Sequence, residues 1–323
     1  MVWWQIVLII LAVIVLILII VANIELDIIL APKSIFGNVL KTEWHPVLLT
    51  PAQRICEENR IRLVAQATQW DKTTPHTECT IKTFDGLTLY ATEYMQQKKS
   101  HKWVVLAHGF HSPLKESAEY GMYYYAKGYN VLAPDCRTHG KSEGKYVTMG
   151  WIDRKDYVQW IQEIVARDKD AKIVLHGVSM GGAAVMMVTG ETLPKNVVCA
   201  IEDCGYTTVW DQFVSQAKNV AHLPPFPLVP LCSIMSKIRC GYSFKEASSL
   251  KQVAKSVTPT LFIHGGNDNF VPTAMVYRNY GAASCPRDIL IVKDAEHAMS
   301  KNQDPDLYWN KVFEFIGKQE NKK

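Results

Sequence analysis

Residues 173–184 read Ile173-Val174-Leu175-His176-Gly177-Val178-Ser179-Met180-Gly181-Gly182-Ala183-Ala184. A short apolar run is followed by a serine between two glycines, then by a run of small residues. The apolar part is β-prone and too short for a helix, and the small residues suit a helix packed closely on its neighbours. The local reading is strand, sharp turn, helix, with Ser179 at the apex. Gly177-x-Ser179-x-Gly181 is the G-x-S-x-G pattern, in which flanking glycines relieve crowding on a strained turn and the serine Oγ is presented above the strand end. A random chain of this composition would hold about 0.05 such matches, and fewer in that context. A glycine-rich turn with a solvent-facing serine is the plain alternative, and the context makes it the lesser one.

Outward from this motif, short apolar runs alternate with intervals of helix length. Residues 80–84 and 87–94 flank Asp85-Gly86, a two-residue hairpin signal. Runs at 103–107, 130–133, 197–201, 260–263 and 289–292 resemble 173–176 in length and character. Strands buried on both faces and joined by helical crossovers read this way in a mostly parallel sheet. The interval between Ile201 and Thr260 is too long for one crossover helix and contains the proline-rich stretch 223–230. A lid over about 206–255 is expected there, at the carboxyl edge where open α/β sheets bind ligands.

A serine hydroxyl is a weak nucleophile, so a base and an acid that orients it are needed, in the chain order serine, acid, histidine. Asp268 stands in the turn 264–272 directly after the run ending at Ile263, and His297 follows the run ending at Val292. Both positions fall at the same sheet edge as Ser179. His297 would take the serine proton and return it to the leaving group, while Asp268 would fix its tautomer. Taken singly, an aspartate in such a turn or a lone histidine is more often structural. Donors to the oxyanion are expected from the backbone N–H groups of Phe110, in His108-Gly109-Phe110 after 103–107, and of Met180. His111 and Ser112 border the expected pocket and are candidates for substrate binding. His139, in the turn 135–142, reads as structural.

The 323 residues carry 35 Lys+Arg and 31 Asp+Glu, a formal net charge of +4. That mild excess argues against a nucleic-acid binder driven by bulk charge. No G-x-G-x-x-G, P-loop or C-x-x-C pair occurs, so no cofactor and no metal are expected. The eight cysteines are scattered and read as buried free thiols. Every charged residue lies beyond Ala22. Residues 2–22 have one polar side chain, Gln5, and as a helix would span about 31 Å, the thickness of a hydrocarbon core. The block is longer than the apolar region of a cleavable signal, has no Lys or Arg before it and ends without an A-x-A site. A membrane anchor over 1–23 is the reading, with Trp3 and Trp4 at the interface. Lys33 and Lys41 beyond it weakly favour a cytoplasmic main domain. Residues 24–75 read as a juxtamembrane segment, partly helical through Ile55, Ile61, Leu63, Val64 and Ala67. The remaining 76–320 read as the catalytic domain.

Taken together, His108-Gly109-Phe110, the turn 135–142, the Ser179 motif, 265–272 and the His297 segment resemble the α/β-hydrolase superfamily. The likeness is to its monoacylglycerol-lipase-like and serine-aminopeptidase-like branch, and closer still to bacterial hydrolases with an N-terminal membrane segment. It covers about residues 76–318. It implies a mostly parallel, doubly wound α/β sheet with a helical lid after the sixth strand and the acid after the seventh, preceded by a transmembrane helix. It also implies an extracytoplasmic catalytic domain, against the weak cue from Lys33 and Lys41. Thr138 departs from the family pattern, which has a small residue there. The expected activity is hydrolysis of carboxylic esters through an acyl-enzyme on Ser179, with a small-molecule ester or lipid-like substrate. An aminopeptidase or amidase is the alternative, for which Glu202, Asp203 or Glu246 would have to hold a free amino terminus. A monoacylglycerol-type lipase, with Leu231, Ile234 and Met235 in an apolar lid, and a non-catalytic membrane-anchored scaffold complete the range. A histidine base must be neutral to accept the proton, so activity should rise through about pH 6–7.5. A flat pH–rate profile from pH 5 to 8 would argue against it.

Overall fold

The structure is a computed structural model that describes residues 2–32, 49–110 and 114–320. His111 and Ser112, and the flanking Lys33 and Lys41, lie outside the described residues. Two helices come first, α1 (Trp3–Leu30) and α2 (Pro51–Thr73). The sheet region follows as β1 (Thr77–Lys82), β2 (Thr88–Tyr94), β3 (Lys102–Ala107), α3 (Leu114–Ala126), β4 (Asn130–Pro134), α4 (Asp153–Arg167), β5 (Lys172–Val178), α5 (Met180–Thr189) and β6 (Val197–Asp203). Three helices, α6 (Val209–Asn219), α7 (Leu228–Cys240) and α8 (Ser249–Val253), occupy the long interval before β7 (Thr260–Gly265). The chain ends with α9 (Ala274–Ala282), β8 (Arg287–Val292), α10 (Ser300–Gln303) and α11 (Pro305–Glu320).

The eight strands form one sheet in the order β1-β2-β4-β3-β5-β6-β7-β8. β1 and β2 are antiparallel, β2 meets β4 antiparallel, and the strands from β4 to β8 run parallel. Successive side chains of a strand point to opposite faces. Val104, Val131 and Val174 therefore join a core with Tyr120 and Tyr124 of α3 and Val312 of α11. Their neighbours Val105, Leu132 and Leu175 join the opposite core with Ile161 of α4 and Met187 of α5. Both faces being covered explains why these strands read as unbroken apolar runs. It also places α3 and α5, which follow the adjacent strands β3 and β5, on opposite faces. A crevice opens between the carboxyl ends of those two strands, the switch point at which α/β sheets bind ligands.

α1 is a single unbroken helix of 28 residues, about 42 Å long, continuing eight residues past the expected end of the apolar block at Ala22. Ala22, Leu26 and Leu30, four residues apart, are buried against the rest of the protein, whereas the apolar side chains from Val2 to Val21 are largely exposed. The helix is long and apolar enough to cross a membrane. α2 starts with a capping box, Thr50 with Gln53, and Pro51 in the first turn. It packs against α3 and α10, with Trp70 against Tyr94 at a ring separation of 4.5 Å. The segment 51–73, read from sequence as a connector, thus covers the sheet region directly.

The hairpin between β1 and β2 differs from the two-residue turn expected. The Thr83 N–H donates to Leu87 O and the Gly86 N–H to Thr83 O, leaving Phe84, Asp85 and Gly86 as a three-residue loop. Gly86 takes φ +87°, open to glycine at no steric cost. The loop holds Asp85 so that the buried Arg137 guanidinium donates to both Asp85 and Asp156, at 2.6–2.9 Å. Thr138 beside it has φ +73°, which accounts for the small residue usual at this position. Removing the guanidinium leaves Asp156 buried without its cation, a defect of about 3–5 kcal/mol. Arg137→Ala should lower the unfolding free energy by that order in a urea titration; a loss under 1 kcal/mol would mean the pair contributes little.

Candidate active site

Ser179 joins β5 to α5 with φ 55° and ψ −115°, a left-handed conformation that costs a non-glycine residue on the order of 1–3 kcal/mol. Close packing around the turn holds it there. A Cβ at Gly181 would stand 1.9 Å from Ala107 O, and one at Gly177 would stand 2.1 Å from Gly181 O. The motif needs glycine at both positions because backbone occupies the space. The Ser179 N–H donates to Asp203 O at 2.8 Å, tying the turn to the end of β6.

The Ser179 Oγ lies 2.8 Å from His297 Nε2, and His297 Nδ1 lies 2.7 Å from Asp268 Oδ2. A carboxylate only accepts, so Nδ1 carries the hydrogen and Nε2 is left with its lone pair facing the serine. The structure thus brings three residues separated by up to 118 positions into one hydrogen-bonded chain. Asp268 is fully engaged: Oδ1 accepts from the N–H groups of Phe270 and Val271 at 2.9 and 2.8 Å, and His264 Nε2 lies 3.2 Å from Oδ2. Burial alone would raise its pKa, but the hydrogen bonds from His264 and His297 and their charge bring it down to about 2. It is therefore ionised at neutral pH and accepts the hydrogen bond from His297 Nδ1.

Phe110, Ser179 and Met180 share the wall of one cavity of about 370 Å³. Met180 opens α5, so its N–H has no partner within the helix. Beside it the Gly109 N–H is taken by Glu116 at 2.7 Å. His108 is buried, with Nδ1 donating to Gly109 O and Nε2 accepting from the Cys136 N–H. It fixes the loop after β3 rather than facing substrate. His139 is likewise buried, 4.8 Å from the His108 ring. Ligand atoms of Cys204, Asp268 and His297 fall within 4.8 Å of one another, but both ring nitrogens of His297 are already engaged by Ser179 and Asp268.

Several residues here went unnoticed in the sequence. The Phe270 ring packs on the His297 ring at 4.8 Å, and Gln212 and Gln216 of α6 both donate to Phe270 O. These contacts join the lid to the acid loop, and no local pattern signals them. Glu25, Ile28 and Ile29 of α1 also line the cavity. Their signal was readable: the apolar residues Ala22, Leu26 and Leu30 carry a spacing of four from the end of the expected span onward.

Beneath the turn, Glu202 and Asp203 are both 0% exposed. Glu202 Oε2 accepts from the Gly205 N–H at 3.0 Å, and Asp203 Oδ2 accepts from the Tyr308 hydroxyl at 3.0 Å. Burial raises the Glu202 pKa to about 8 against the nearby His264 charge, and that of Asp203 to about 6.

The fold, the crevice and the serine turn are those of an α/β hydrolase, and the matches to known proteins support a place in the α/β-hydrolase superfamily. Residues 98–229 match the family model Hydrolase_4, described as serine aminopeptidase, S33. The chain is 28% identical over 214 residues to the uncharacterized protein YqkD of Bacillus subtilis, an alignment covering 66% of this chain and 70% of that protein. Among solved structures it is similar to the esterase Pf2001 of Pyrococcus furiosus, with a TM-score of 0.62 and 25% identity over 77% of this chain and 94% of that one. It shares the fold of an acylaminoacyl peptidase from Pyrococcus horikoshii, with a TM-score of 0.57 and 17% identity over 78% of this chain and 42% of that one.

The Glu202 carboxyl, at about 8 in the fold against 4.5 as its ordinary value, keeps its proton in the folded state where the unfolded chain has lost it. Its contribution to stability is complete below about pH 4.5 and is lost as pH rises through 8. Glu202→Gln keeps an acceptor for the Gly205 N–H and removes the ionisation. The melting temperature of the variant relative to wild type should rise by several degrees from pH 5 to 9, at roughly 2–4 °C per kcal/mol. A difference that stays constant with pH would show that Glu202 does not titrate as described.

Proposed function

We propose that this chain hydrolyses carboxylic esters through an acyl-enzyme on Ser179. The observation that carries the reading is the hydrogen-bonded chain Ser179–His297–Asp268 set in the wall of an apolar cavity at the switch point. The Ser179 Oγ attacks the ester carbonyl carbon as its proton passes to His297 Nε2. The carbonyl π pair moves to oxygen, where the N–H groups of Phe110 and Met180 receive the charge. Collapse breaks the carbon–oxygen bond, and the alcohol leaves with the proton from His297. Water, deprotonated by the same nitrogen, then attacks the acyl carbonyl and regenerates the serine, releasing the acid. Asp268 stays ionised throughout and stabilises the imidazolium.

The peptidase reading needs an anionic group for a free amino terminus. Glu202 and Asp203 are enclosed below the serine turn, and Glu246 is bound to Lys237 at 2.9 Å on the surface. Glu25 is the acid that lines the cavity, and it keeps an amidase as the second reading. We further propose that the exposed part of α1 anchors the enzyme in a membrane, on the strength of its length and its apolar surface.

Ser179→Ala should lower p-nitrophenyl butyrate turnover by a factor on the order of 10⁴–10⁶ and abolish labelling by a fluorophosphonate probe. A variant that keeps either property would overturn the assignment. Aminoacyl p-nitroanilides assayed beside the ester decide between the two readings, the ester being favoured.

A further inference from the structure

The carboxyl-terminal third of α1 is part of the catalytic unit. Ala22, Leu26 and Leu30 are buried, the Val147 N–H donates to Leu30 O at 2.7 Å, and Arg239 of α7 binds the Asp27 carboxylate and the Asn23 side chain. On this docked stretch, Ile28 and Ile29 line the same cavity as Ser179, together with Phe213 of α6 and Leu228 of α7. The helix is unbroken, so beyond Glu25, the polar residue that this stretch gives the cavity wall, the same helix leads into the exposed apolar surface from Trp3 to Val21. At the lid, Val220 and Leu223 line the cavity while remaining 59% and 46% exposed, and Phe226 beside them is 76% exposed. The opening is therefore apolar as well.

We propose that α1 forms the acyl-side wall of the active site, with the tail of a long-chain carboxylic ester, a single-tailed membrane amphiphile, lying against Ile28 and Ile29. The inference rests on Ser179 being the nucleophile. A cavity of about 370 Å³ falls in the range that encloses one small ligand. An amphiphile whose tail already lies beside the exposed part of α1 reaches Ser179 by moving along the helix, and its tail exchanges one apolar surrounding for another. Esters presented from water gain about 0.8 kcal/mol per buried methylene, or about fourfold in kcat/KM, until the cavity is filled.

The test uses the full chain in detergent micelles with p-nitrophenyl esters of two to twelve acyl carbons, kcat/KM being referred to the ester free in water, together with fluorophosphonate labelling. For the wild type, kcat/KM should rise at least tenfold from the two-carbon ester to an optimum at intermediate length. Ile29→Trp fills the cavity and should lower the ratio of ten-carbon to four-carbon kcat/KM at least tenfold. Ile29→Ala lengthens the cavity, should move the optimum to longer chains, and stands as the measurement should the tryptophan variant fail to fold. A wild type that labels and cleaves short esters without gaining from length, or ratios within twofold of wild type in a folded variant, overturns the inference and leaves the esterase reading intact. A wild type that neither labels nor cleaves any ester removes the esterase reading, and this inference with it.

Discussion

The backbone at Ser179 is the constraint around which the site is built. A φ of 55° is sustained because the turn is held from both sides: the Ser179 N–H bonds to Asp203 O, and the Ala183 N–H bonds to Ser179 O. The same compaction puts all ten residues of α5 in the interior and draws the end of β6 beneath the serine. Enclosing the acidic pair Glu202–Asp203 follows from holding the turn this tightly.

Three acids near the serine are then differentiated by what surrounds them. Asp268 accepts from two backbone N–H groups and two imidazoles and is held ionised. Glu202 has one backbone donor and keeps its proton well above its ordinary range. Asp203 lies between them, with the Tyr308 hydroxyl as donor. Environments that push carboxyl pKa values apart are how a fold assigns different tasks to the same group. Here the charged one faces the His297 imidazole beside Ser179, and the neutral one lies in the core.

The parts of the site carried by local chemistry were legible. A glycine-flanked serine between strand and helix, an aspartate and a histidine each just after an apolar run, and a gap too long for one crossover all register within a few residues. The structure brings the serine, acid and histidine together and fills the long interval with α6 to α8. What failed to register depends on distant partners. Arg137 needs Asp85 from the hairpin, so that loop is one residue longer than the signal suggested. Phe270 meets His297 from another strand connection. Asn23, Glu25 and Asp27 look like the polar end of an apolar block because their partners, Cys232 and Arg239, are more than 200 residues away. In the sequence the cue that the helix went on was the spacing of four between the apolar Ala22, Leu26 and Leu30.

Arg239 also has a mechanical consequence. Its guanidinium holds Asn23 and Asp27, one turn apart on the same face of α1, so the helix cannot slide or spin against α7 without breaking that grip. A slip of one residue would carry the helix about 1.5 Å along its axis and about 100° around it, turning Ile28 and Ile29 away from the cavity. The arginine works as an index pin: far in sequence from the serine, it sets which side chains close the cavity and therefore how deep the cavity is.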